Sequence, residues 1–277
     1  MSAGSPPGDD SDQDEAPVIS TTVAHNARVW NYWLGGKDHY PVDREVGNQV
    51  LEIFPGIGRV ARADRAFLGR AVRYLAGEVG IRQFLDIGTG LPTADNTHEV
   101  AQRVAPDSRI VYIDNDPLVL VHARALLIGT VEGTTDYINA DARNPDKILL
   151  AAAKTLDFSQ PIAIMMLGVL NFVLDTDEAV AIVDRLIDAV PAGSYLVLAH
   201  PTGELGGEEN AESMKFWNEN ATPPITPRSR QEVTRFFRHL ELLEPGIVSC
   251  SHWRPEPPDV DGLPAEVPQF GAVARKP

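Results

Sequence analysis

From Gly80 onward, short apolar runs alternate with amphipathic stretches, and this rhythm constrains the fold more than any other feature of the chain. The runs 83–87, 109–113, 135–138, 162–167, 195–199, 240–244 and 269–274 have strand length and apolar character. Between them, the pattern predicts helices over 97–104, 117–127, 145–153, 177–189 and 229–237. Strands that alternate with helices build a mostly parallel sheet covered on both faces, so an α/β fold is expected. Ahead of it, residues 18–80 have helical spacing. Val23, Ala27, Trp30 and Leu34 recur every three or four residues before Gly35-Gly36 ends the pattern. Val60, Phe67, Leu68, Ala71, Val72 and Leu75 stripe a further helix over about 59–79. The organisation expected is an acidic, disordered tail (1–17), an N-terminal helical cap (18–80) and a sheet domain (81–277) with a proline-rich loop at 255–268.

Composition disfavours several classes of function. The net charge is −15, and Asp9, Asp10, Asp12, Asp14 and Glu15 stand in a tail without Lys or Arg. Bulk binding to a nucleic-acid backbone needs a basic footprint that this chain lacks. Cys250 is the only cysteine, so neither an intramolecular disulfide nor a multi-cysteine zinc site is available, and no metal is expected. The longest apolar stretch, 162–174, is interrupted by Gly168 and Asn171 and is too short to span a bilayer. With no signal-peptide pattern at the N-terminus, a cytoplasmic location is expected. No sequence feature specifies the oligomeric state.

The chemistry concentrates at three strand ends. Phe84-Leu85-Asp86-Ile87-Gly88-Thr89-Gly90 is an apolar strand opening into a glycine turn, where the backbone can approach a ligand and the next helix offers its N–H groups. Such turns serve dinucleotides and S-adenosylmethionine alike. The dinucleotide pattern asks for Gly or Ala at position 93, which is Thr93, whereas Asp86 stands where an acid suits a methionine ammonium. The second strand ends at Asp114, placed to accept from ribose hydroxyls, although Asp114 or Asp116 would equally cap the helix that Pro117 opens. After the third strand, Asp141 either faces an adenine amine or caps a turn.

The runs FLDIGTGLPTADNTHEVAQ (84–102), VYIDNDP (111–117) and NADARNP (139–145) resemble class I S-adenosylmethionine methyltransferases. Together with ARVWNYWLGGKDHYPVDRE (27–45) and TPRSRQEVTRFF (226–237), they give the chain a resemblance to one actinobacterial S-adenosyl methyltransferase family, long known as a domain of unknown function, over about residues 24–276. The resemblance implies a Rossmann-like fold with a seven-stranded, mostly parallel sheet, an antiparallel last strand and S-adenosylmethionine as cofactor. It implies methyl transfer to an unidentified small-molecule acceptor, leaving S-adenosylhomocysteine. By the same resemblance Asp86, Gly88 and Gly90 line the methionine end, Asp114 the ribose and Asp141 the adenine, with Thr89, Asn115, Ala142 and Leu167 as further cofactor contacts. Pro92 departs from the wider G-x-G-x-G pattern and offers no N–H, so Arg65 or Arg62 is expected to supply charge for the carboxylate end.

The acceptor side is less marked. The fourth strand runs into Asn171-Phe172, without the N-P-P-Y motif of adenine and amide methylation; Asn171 is a candidate for orienting an acceptor. His200 follows the fifth strand and is the expected general base. Residues 31–40, with Tyr32 and Lys37 as candidate acceptor contacts, have the composition of a lid, and 204–228 is a second lid candidate. Two alternatives remain open: an S-adenosylmethionine-binding regulatory protein without turnover, and a nicotinamide-dependent oxidoreductase.

Overall fold

Period-two alternation along the strands assigns each residue to one of two cores. In the computed structural model, which describes residues 20–126, 129–256 and 262–277, the strands are β1 (Gln83–Ile87), β2 (Arg109–Asp114), β3 (Thr134–Asn139), β4 (Ala163–Leu167), β5 (Tyr195–Pro201), β6 (Glu241–Leu242), β7 (Val248–Ser249) and β8 (Gln269–Arg275). The expected acidic tail lies outside the described residues, as do residues 257–261 of the proline-rich loop. Leu85, Ile87, Val111, Ile113, Ile164 and Met166 join one core, while Phe84, Ile110, Tyr112, Ala163 and Met165 join the other. With both faces covered, such strands are apolar almost throughout. Asp86 breaks that rule, a carboxyl on a strand buried at every position.

The sheet order is β3-β2-β1-β4-β5-β8-β6, with β7 pairing β8. Strands β1 to β5 are parallel, and β8 runs antiparallel to β5 from Tyr195↔Arg275 to Pro201↔Gln269. The expected seven-stranded sheet with its antiparallel last strand is present, together with the unanticipated two-residue β7. The run 240–244 contracts to β6 because Pro245-Gly246 turns the chain there.

One face of the sheet is covered by α6 (Pro145–Ala152), α7 (Thr176–Asp188) and α9 (Arg230–Thr234), which contribute Ile148, Val180, Val183, Leu186 and Val233 to its core. The other is covered by α4 (Thr97–Val104) and α3 (Ile57–Tyr74), the latter through Phe67, Leu68, Ala71 and Val72. Helix α5 (Pro117–Leu126) follows β2. The N-terminal region thus divides by packing. Helix α3 belongs to the sheet, while α1 (Asn26–Trp33), α2 (Pro41–Ile53) and α8 (Gly207–Asn220) enclose a small core of Ala24, Val29, Val46 and Trp217.

A buried ion pair, Arg28 to Asp43 at 3.0 Å, ties α1 to α2, and Asp43 also accepts from the backbone N–H of His25 and Tyr40. Full hydrogen bonding of this kind is what makes a buried charge tolerable. His25 Nδ1 meets Asp116 Oδ2 at 2.8 Å and fastens the cap to the start of α5. Among the described residues, no helix is long and apolar enough to cross a membrane.

Candidate active site

Parallel strands that diverge from a common point leave a crevice at their carboxyl ends. Here that point lies between β1 and β4, and the cap closes it into a cavity of about 410 Å³. All ten residues expected to hold a cofactor line it: Arg65, Asp86, Gly88, Thr89, Gly90, Asp114, Asn115, Asp141, Ala142 and Leu167.

The glycine turn is built for close approach. Gly88 has φ +78°, and a Cβ there would lie 2.6 Å from the Cβ of Val169. Gly90 has φ +66° with nothing in front of it, so its backbone stands open to the cavity. Gly88 and Thr89 donate to Ile113 O, and Gly90 N–H donates to Asp114 Oδ2 at 2.7 Å. Asp114 Oδ1 accepts from Asp116 N–H, while Asp116 itself caps α5 through Leu118 N–H. The capping role therefore falls to Asp116, and Asp114 fixes the turn while facing the cavity. Burial pushes the Asp114 carboxyl upward.

Asn115 and Arg143 both donate to Asp141, Arg143 through its backbone and two guanidinium nitrogens. Burial disfavours the Asp141 anion, but the Arg143 bonds outweigh it and hold the carboxyl below the usual range. Arg65 donates to Ala94 O and Asn96 Oδ1, so it braces the loop that leads into α4. Leu91 and Thr93 line the cavity and Pro92 does not.

Of the four residues expected on the acceptor side, one lines the cavity. Asn171 is buried there; its Oδ1 is sealed from the cavity without a partner, which leaves the amide nitrogen as the group that can meet a ligand. His200 is a correction. It shares strand parity with Leu196 and Leu198 and is fully buried, with Nδ1 at 2.8 Å from Pro201 O and Nε2 at 2.8 Å from the Arg228 guanidinium. Burial pushes its pKa down to about 3. A neutral imidazole with Nδ1–H donating and Nε2 accepting satisfies both contacts, which leaves no nitrogen for an acceptor molecule.

Tyr32 and Lys37 are a second correction. Tyr32 packs away from the cavity against α2, its hydroxyl on Asn48 Oδ1 and its ring against Gly47, where a Cβ would come within 2.7 Å. Lys37 is exposed beyond Gly35, whose φ of +82° terminates α1. Helix α1 does cover the cavity, but with its opposite face: Asn26, Trp30 and Trp33.

Trp33 stands 6.3 Å from Trp217 of α8, and their indole N–H groups donate to Gly47 O and Pro223 O. Helix α8, within the second lid candidate, also supplies Asn210, Ser213 and Met214. Sequence reasoning missed Asp64 and Gln269. Asp64 lies in the stripe Ile57, Val60, Asp64 and Leu68 that α3 turns to the cavity, so an acid inside an apolar stripe was the available signal.

This sheet order, the antiparallel strand before the last position and the glycine turn between two strand-end acids define the Rossmann-like fold of class I methyltransferases. The chain belongs to the S-adenosyl methyltransferase family, whose profile matches residues 12–277. A DUF574 family protein from Streptomyces avermitilis is 45% identical, with a TM-score of 0.88 over 93% of this chain and 99% of that one. A structure from Thermobifida fusca, provisionally assigned as a methyltransferase, is 40% identical with a TM-score of 0.82 over 92% of this chain and 96% of that one. No protein with a curated functional description matches. The chain is thus an S-adenosylmethionine-dependent methyltransferase, and its methyl acceptor is unknown.

Proposed function

We propose that the cofactor lies along the ends of β1 and β2 and the loop after β3, and that the cap and the turn after β4 hold a small, largely apolar acceptor beside it. The observation that carries this reading is the convergence of the glycine turn, Asp114 and Asp141 on one cavity to which the cap and α8 add Trp30, Trp33, Met214 and Trp217. The residues present fit the group: Gly90 leaves room for it, and Asp114 keeps lone pairs for hydroxyl donors beyond its two backbone bonds. Bound there, S-adenosylmethionine supplies an activated methyl group for in-line displacement by an acceptor nitrogen or oxygen.

The protein's part is positioning and exclusion of water, since effective molarity supplies much of such a rate. The aromatic wall shields the acceptor, and the Asn171 amide orients it. Of the basic side chains on the cavity wall, His25 is paired with Asp116 and Arg143 with Asp141, while Arg65 bonds only the neutral oxygens of its loop.

S-adenosylhomocysteine at about 100-fold above its dissociation constant is expected to add about 2.7 kcal/mol, a melting shift of roughly 5–10 °C. No shift and no calorimetric heat would refute the site. Asp114→Asn keeps one of the two oxygens that hold Gly90 N–H and Asp116 N–H and loses the charge, and should weaken binding by about 1.5–3 kcal/mol in titration calorimetry. Unchanged affinity would remove the ribose assignment. Binding without release of labelled methyl groups to any acceptor would leave a silent binder.

A further inference from the structure

Two buried carboxyls on the cavity wall have no cation of their own. Asp64, on α3, accepts from Gln269 Nε2 at 3.0 Å through Oδ1, and Asp86, on β1, accepts from Thr97 Oγ1 at 2.6 Å through Oδ2. They are 7% and 5% exposed, and both line the cavity. The second oxygen of each, Asp64 Oδ2 and Asp86 Oδ1, is left without a hydrogen bond by Gln269 and Thr97 and is not sealed from the cavity that both residues line. Among the described residues, neither forms an ion pair. The nearest cation, the Arg65 guanidinium, donates to Ala94 O and Asn96 Oδ1 instead.

The charged and titratable groups around them are few. Asp64 feels Arg65 on its own helix, Asp86 from the sheet and Cys250 from the segment packed on β8. Asp86 feels Arg65, Asp114 and the Tyr112 and Tyr137 hydroxyls. Burial lifts each carboxyl to about 6, and the Asp86 charge raises Asp64 further. At neutral pH such a pair carries anionic charge out of water that Arg65 offsets only in part and without contact, a cost that a bound cation lowers.

We propose that Asp64, from outside the glycine turn, completes with Asp86 a two-carboxylate seat for one cationic group, the ammonium at the methionine end of the cofactor. The proposal rests on the reading of this cavity as the cofactor site. A single carboxylate beside the turn would anchor the ammonium from one side. A second one on α3 fixes it from the helical layer and makes the grip depend on both acids being ionised. Gln269 positions Asp64 for this task from the first residue of β8.

Titration calorimetry with S-adenosylhomocysteine and with 5′-methylthioadenosine, which lacks the ammonium and carboxylate, tests the seat. In the wild-type protein S-adenosylhomocysteine should bind more tightly, and its advantage should shrink from about pH 7.5 to about pH 5.5 as the carboxyls take up protons. Asp64→Asn keeps an oxygen for Gln269 but loses the charge. It should weaken S-adenosylhomocysteine about tenfold or more and leave 5′-methylthioadenosine unchanged. Without ligand at about pH 7.5, the same variant should melt higher than wild type, because an unpaired buried charge is gone. Wild-type affinity of Asp64→Asn for S-adenosylhomocysteine would overturn the proposal, and loss of methyl transfer alone would assign Asp64 to the acceptor instead. If the wild-type protein bound neither nucleoside, the reading of the cavity would fall together with the seat.

Discussion

Arg228→Ala is expected to lower the melting temperature by about 10 °C, the scale of a 3–5 kcal/mol loss in a chain of this size. The guanidinium is 1% exposed and donates to Leu170 O at 2.9 Å, Val173 O at 2.6 Å and Thr176 Oγ1 at 3.1 Å, with His200 Nε2 at 2.8 Å. Alanine would leave two buried carbonyls and an imidazole nitrogen without partners, each at a desolvation cost. Lysine would not restore the clamp, because one ammonium lacks the planar fork that reaches several acceptors at once. The clamped carbonyls bracket Asn171, so Arg228 also positions the turn that aims this amide into the cavity. Methyl transfer should therefore fall in Arg228→Lys even at temperatures where the variant is fully folded and binds S-adenosylhomocysteine. Thermal unfolding by circular dichroism and a labelled-methyl assay read the two effects separately. A melting temperature within about 2 °C of wild type would show that water replaces the guanidinium at little cost.

Gly88→Ala is expected to weaken S-adenosylhomocysteine binding on the order of 100-fold, about 2.7 kcal/mol. Two penalties combine. A side chain at φ +78° is strained by about 1–2 kcal/mol, and the new Cβ would come within 2.6 Å of Val169 Cβ, too close for any non-bonded carbon pair. The turn must shift to relieve the contact, and Gly90 N–H, held 2.7 Å from Asp114 Oδ2, shifts with it. The double variant Gly88→Ala/Val169→Gly removes the clash and keeps the backbone strain, so calorimetry should find affinity partly recovered and the two changes non-additive. Additive losses would mean that Val169 does not limit the approach.

Much of the site was legible because its signals are local. The glycine turn, Asp114 and Asp141 follow β1, β2 and β3; apolar runs announce the first two, and β3 is a more polar strand read from its place in the alternation. A parallel sheet brings such ends together without further instruction. The acceptor side was less legible for a geometric reason. The lid composition of residues 31–40 is real, but a helix turns about 100° per residue, so Trp30 and Trp33 face the cavity while Tyr32 faces α2. His200 was misread although β5 carried the answer, since its parity with Leu196 and Leu198 sends it into the sheet's covered face.

The sequence by itself determined the α/β class, the strand that opens into the glycine turn, and the acids that end β2 and follow β3, because strand period, turn chemistry and strand-end position are properties of a few consecutive residues. Tertiary structure decided the rest. Asp64 meets Gln269 across 205 positions of sequence, and Arg228 reaches back 58 positions to Leu170. Only the packing of α3 on β8, and of the segment before α9 on β5, turns an acid that a helix would ordinarily show to water into a buried carboxyl, and an arginine into a clamp. Charge on a helix face has no burial of its own until a second element covers it.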